Sequence, residues 1–237
     1  FGQGFGALPW TASEAQETEA AFRKTHGEAP THLFLGSEAS RDALVEHASR
    51  AQFLHLATHG WISAEALASY GDDSAGSARP GALALDSGAS ILGMAPMLLC
   101  GVALAGANLA PDPRQVWVPG VLTAEDVAAL DLSGCELAVL SACDTGMGLA
   151  RAGLGLASLQ RALHMAGARY TLTSLWTVPD APTRNLMRAF YRRLWEEGQS
   201  PREALWCAKT ELRRARDELG RPLHSPPDWA GWVLTGE

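Results

Sequence analysis

Two stretches, QFLHLATH (52–59) and ELAVLSA (136–142), are apolar at nearly every position. A strand with one face in water alternates apolar and polar residues. A strand covered on both faces does not, and double cover is typical of the centre of a parallel sheet flanked by helices. The rest of the chain must supply those helices. Helical patterns are predicted at 12–26, 37–49 (with Ser37 as cap), 123–132 (with Thr123 as cap), 152–167, 180–197 and 200–219. Further strands are predicted at 32–36, 81–85, 97–106, 169–176 and 232–236. Residues 69–80 (SYGDDSAGSARP) read as a flexible loop, and 107–120, with Pro111, Pro113 and Pro119, as irregular. Strands alternating with helices of this length predict an α/β fold, with a mostly parallel central sheet and helices on both faces.

In such sheets ligands bind beyond the carboxyl ends of the strands. The first apolar run ends in His59-Gly60, and the second in Cys143-Asp144-Thr145-Gly146. If the two strands are close in the sheet, an imidazole and a thiol converge. A thiolate is the nucleophile, and a neighbouring imidazole can take its proton. The turn after Cys143 would expose the sulfur, and the Gly60 N–H and backbone N–H groups of that turn are candidate oxyanion donors. The alternatives are a buried structural cysteine and a histidine satisfied at a strand end. Cys100, Cys135 and Cys207 fit the structural reading better, since they lie in or beside apolar runs or within a helix. His55 lies on the same strand face as His59, deeper in the strand, as a core histidine or a partner to the imidazole. The other histidines have surface or helix contexts.

Rival motifs fail. In TGMGLAR the last glycine of a GxGxxG fingerprint is replaced by Arg151, and no GxSxG elbow occurs. A zinc hydrolase using His55, His59 and Cys143 is disfavoured, because two histidines two pleats apart on one strand diverge by roughly 6–7 Å, wide for one ion. A net charge of −7 argues against nucleic acid as the main ligand, and no stretch has the length of apolar sequence that spans a bilayer. The arginines at 213, 214, 216 and 221 alternate with acids and read as a solvated helix face. None of the four cysteines forms a CxxC pair, as expected of free thiols in a reducing, cytoplasmic compartment. The start, FGQGFGALPW, has no secretory pattern and no initiator Met, so the chain reads as a piece of something longer.

The segments FLHLATHGW, LAVLSACDTGMG, GLASLQRALHMAGARYTLTSLWTVPDAPTRNLMRAFYRRL and PPDWAGWVLTGE resemble the CHAT domain, a caspase-like clan CD cysteine peptidase family related to caspases and separases. The likeness runs from about Leu8 to Glu237, with residues 62–120 the least matched. It implies a caspase-hemoglobinase fold across residues 1–237 and a Cys-His dyad of His59 and Cys143. It also implies an oxyanion hole from Gly60 and Cys143, with no metal and no organic cofactor. A backbone carbonyl or His55 is expected to orient the imidazole. The expected partners are a protein substrate and upstream regulatory or sensor domains or a separate activator. Such domains stand at the C-terminus of larger prokaryotic proteins, some in antiviral defence or cell-death systems. The alternative is a caspase-like module that docks a partner without cleaving it.

The chain departs from caspases in lacking the Gln-Ala-Cys-Arg-Gly box and in having no long linker between Cys143 and Arg169. Activation by linker cleavage is therefore not expected, and segments 69–80 and 144–151 are those expected to change on activation. The expected substrate-binding residues are Ser141, Asp144, Ser174 and Trp176. Ser141 is small and neutral where enzymes that cut after Arg or Lys carry an acid, and 174–176 (SLW) lacks the arginine with which caspases bind an acidic side chain. The pocket should then prefer an uncharged, apolar residue, with Asp144 and Asp180 as the acids that would alter that preference.

Overall fold

The computed structural model describes residues 4–62, 97–110, 118–142, 159–176 and 178–237. Among the described residues six strands form one sheet: β1 (Phe53–Ile62), β2 (Cys100–Ala103), β3 (Val121–Thr123), β4 (Leu137–Ala142), β5 (Tyr170–Ser174) and β6 (Trp232–Gly236). Their spatial order is β3-β2-β1-β4-β5-β6. The two apolar runs, β1 and β4, are neighbours and run parallel, as do β4 and β5. The flanking pairs are antiparallel, so the sheet is mixed with a parallel centre.

Side-chain parity sorts the sheet into two buried faces. Leu54 and Leu56 of β1 and Ala138 and Leu140 of β4 pack under α2 (Arg41–Ala48), α3 (Ala124–Ala128) and α4 (residues 159–165). Phe53 of β1 and Leu137 and Val139 of β4 face the other way. There they meet α1 (Thr11–His26), α5 (Asp180–Tyr191), the π-helical turn Arg192–Glu196 and α6 (Pro201–Arg214). Double cover is what the uniformly apolar runs demand.

Local chemistry sets the helix ends. Ser200 and Glu203 close a capping box around α6, with Pro201 in its first turn. Thr123 and Asp126 do the same for α3. Burial pushes the Asp126 carboxyl up, but hydrogen bonds from the Thr123 backbone and hydroxyl, and the Arg41 charge, hold it below its ordinary value. A carboxyl depressed by folding adds stability that is present above its unfolded value and lost as pH falls through the folded one. Thr123→Ala should therefore cost about 1 kcal/mol at neutral pH, with the difference from the unaltered chain shrinking as Asp126 protonates. Urea melts at two pH values check this.

Several predicted boundaries move. Residues 32–35 join no strand, and Gly36 opens the short turn Gly36–Glu38. The rings of 32–35 pack on α2 instead, with Phe34 5.0 Å and His32 4.5 Å from the His47 ring. The cap of α2 is Ser40, whose hydroxyl accepts from the Ala43 N–H, and not Ser37, which lies in the short turn Gly36–Glu38. Helix α3 ends at Ala128, short of 132, and α6 ends at Arg214, short of 219. Beyond α6 the Asp217 carboxylate takes the N–H groups of Leu219 and Arg221, a side-chain turn that competes with helix. The predicted strand 97–106 narrows to Cys100–Ala103. At Gly101 an added Cβ would lie 1.8 Å from the Leu122 carbonyl oxygen, so β2 and β3 approach too closely there for any side chain. The predicted loop 69–80, strand 81–85 and the start of helix 152–167 lie outside the described residues. Among the described residues no helix is long and apolar enough to cross a membrane.

Candidate active site

β1 carries the candidate imidazole. Its pairing with β4 runs from Phe53 opposite Leu137 to Thr58 opposite Ala142. His59 comes next, so it is not the last residue of its strand, as the sequence suggests. β1 continues to Ile62, paired on its other edge to β2, with His59 opposite Ala103 and Gly60 opposite Val102. His59 is 8% exposed and Gly60 is buried.

The imidazole is held from the N-terminal segment. Its Nε2 lies 2.7 Å from the Gly6 carbonyl oxygen, and the Phe5 ring leans over it at 5.5 Å between centroids. A carbonyl only accepts, so Nε2 carries the proton of the neutral ring and Nδ1 is its basic nitrogen. Of the two orienting groups that the sequence offers, the backbone carbonyl is the one that meets His59.

His55 is occupied elsewhere. Its Nε2 lies 3.0 Å from Glu14 Oε1 on α1, and its Nδ1 lies 2.8 Å from the Tyr191 hydroxyl on α5. A carboxylate accepts from Nε2–H, so the Tyr191 hydroxyl donates to Nδ1 of the neutral ring. Burial, followed by the Glu14 charge, pushes the Tyr191 phenol well above its ordinary range, which keeps it a donor. His55 is thus the core histidine, tying two helices to β1. Glu14 and Tyr191 have no signature in the sequence: Glu14 is one acid among several in a polar helix.

Ser141 is buried, opposite Ala57. Ser174 ends β5, and its hydroxyl donates to the Trp176 carbonyl at 2.6 Å. The Trp176 indole donates to the Pro227 carbonyl at 2.8 Å and lies on Gly231, where an added Cβ would come within 2.6 Å of the ring. Cys143 and Asp144 lie outside the described residues, as does 144–151. Cys100 and Cys135 are buried in the core, and Cys207 is half-buried. Burial pushes the Cys135 thiol up to about 11, so it is a poor nucleophile at neutral pH. Among the described residues no three His, Cys, Asp or Glu side chains converge as metal ligands would.

The doubly covered sheet with a parallel centre makes this an α/β domain, consistent with the caspase-like fold. Residues 3–237 match the model of the CHAT domain, and the chain belongs to that family. It is also similar to "Tetratricopeptide repeat protein 28" of Mus musculus and of Homo sapiens, at 34% identity over 116 residues in each case. Those residues are 49% of this chain and 4% of each relative, so the chain corresponds to a small part of much longer proteins.

Proposed function

We propose that this chain is a cysteine endopeptidase domain working through a dyad of His59 and Cys143. One observation carries the reading: the register and parity of β1 and β4. Thr58 lies opposite Ala142, and the residues that follow them in the sequence, His59 and Cys143, are the members of the dyad. Phe53, His55 and His59 share one parity on β1. Leu137 and Val139 share the corresponding parity on β4, and Phe53, Leu137 and Val139 pack on the same sheet face; Cys143 continues that odd-numbered series in the sequence. In this mechanism Nδ1 of His59 takes the Cys143 thiol proton, and the thiolate attacks the scissile carbonyl. The N–H groups of Gly60 and Cys143 hold the oxyanion. The protonated ring then gives its proton to the leaving amine, and water, deprotonated by the same nitrogen, hydrolyses the thioester.

The substrate is a specific protein partner, recognised through an apolar residue before the scissile bond. The half-buried Trp176 and the neutral Ser141 and Ser174 support that preference. Control comes from upstream domains or an activator, in keeping with the tetratricopeptide repeats that the relatives' name declares. A prokaryotic antiviral or cell-death role and a cytoplasmic site of action complete the proposal.

A peptide library tests it, alongside a peptidyl acyloxymethyl ketone with an apolar residue next to the warhead. Expected are cleavage after apolar residues and a single adduct on Cys143. Dominant cleavage after Arg or Lys would overturn the pocket assignment. A folded chain that forms no adduct and cleaves no peptide, yet retains a bound partner, would favour the docking module.

A further inference from the structure

We propose that Asn108 is a positioning residue for His59, acting through the backbone of Phe5 and Gly6. The inference rests on the reading of His59 as the general base and deepens it. The Asn108 side chain grips Phe5 at two points: its Oδ1 accepts from the Phe5 N–H at 2.7 Å, and its Nδ2 donates to the Phe5 carbonyl at 2.9 Å. The next carbonyl along, that of Gly6, accepts from His59 Nε2. One side-chain amide therefore fixes the peptide that fixes the tautomer of the imidazole.

The turn carrying Asn108 is itself anchored beside His59. It leaves β2 directly after Ala103, the residue opposite His59. The Leu104 N–H donates to the Gly120 carbonyl at 2.6 Å, and the Leu109 N–H donates to that of Gly106 at 2.9 Å. Gly120 has φ +75°, and a Cβ there would lie 2.3 Å from the Ala105 carbonyl oxygen, so the turn sits closely on it. Segment 4–6 lacks helix and strand bonds of its own, so the Asn108 amide takes the place of a ladder. At Gly4 an added Cβ would lie 2.8 Å from Asn108 Oδ1, which gives an independent way to disturb the grip.

The readout is the imidazole itself. Long-range proton–nitrogen correlation spectra of the 15N-labelled chain report the tautomer of each histidine, with the His59 signals assigned by their loss in His59→Asn. The unaltered chain should hold the Nε2–H tautomer. Asn108→Ala and Gly4→Val should each shift His59 to a mixture of tautomers, and Asn108→Asp, which keeps the acceptor and loses the donor, should fall between. Circular dichroism checks that each variant is folded. In parallel, alkylation of Cys143 by iodoacetamide, followed by mass spectrometry at pH 6, should slow about tenfold in Asn108→Ala, the scale of loss when a reacting group is slightly misplaced. A folded Asn108→Ala or Gly4→Val chain with an unchanged His59 tautomer and unchanged alkylation overturns the proposal. If His59→Asn leaves Cys143 alkylation unaltered, the dyad reading has failed. The tautomer spectra still decide the role of Asn108.

Discussion

Replacing His59 with Ala is expected to reduce peptide cleavage by about a thousandfold or more while the chain still folds. General-base assistance contributes on the order of 10²–10⁴ in rate, and members of a catalytic unit fail together, so Cys143→Ala should be about as damaging. Among the described residues His59 gives up its hydrogen bond to Gly6 and its contact with Phe5. Cys100→Ala, Cys135→Ala and Cys207→Ala should keep their activity. Cys100 and Cys135 are sealed in the core, and the Cys135 thiol is held in its neutral form. The measurement is kcat/KM on the best library peptide, beside a thermal melt. Activity within tenfold of the unaltered chain in His59→Ala would remove the imidazole from the mechanism.

Glu14→Ala should be the most destabilising substitution on the first helix, costing about 3 kcal/mol, whereas its polar neighbours should tolerate alanine. Glu14 is 3% exposed and meets His55 at 3.0 Å. Removing its carboxylate strands the His55 Nε2–H in a dry interface beneath α1 and opens a void beside Tyr191. Glu14→Gln keeps an acceptor of the same shape and should cost about 1 kcal/mol. Urea melts of both variants test this, and equal losses would mean that the volume of the side chain matters and its hydrogen bond does not. Because α1 follows the segment that carries Gly6, the two variants should also separate in His59 tautomer, with Ala perturbing it more.

Much of the architecture is written in local pattern. Strands β1 and β4 are legible because a doubly covered strand leaves an unbroken apolar run. Helix α6 is legible at its start, where Ser200, Pro201 and Glu203 form a cap within four consecutive positions. Its end is not, because the Asp217 turn that stops it depends on backbone groups that only a folded loop brings into range. Residues 32–36 have the composition of a strand, but strand formation needs an unpaired sheet edge, and here their rings find α2 first.

The same division runs through the site. His59-Gly60 and Cys143 at the ends of apolar runs, and the parity that puts His59 on the face of Phe53 and His55, are properties of the chain alone, because side chains alternate with the pleat whatever surrounds them. The adjacency of β1 and β4, and their register, are decided by the tertiary structure, since long-range strand pairing is set by the packing of both sheet faces at once. So are the partners of the two histidines. Glu14, Tyr191, Gly6 and Asn108 are distant in sequence and ordinary in kind. They matter because folding removes water from around two imidazoles, and both nitrogens of His55 and Nε2 of His59 then take protein atoms in its place.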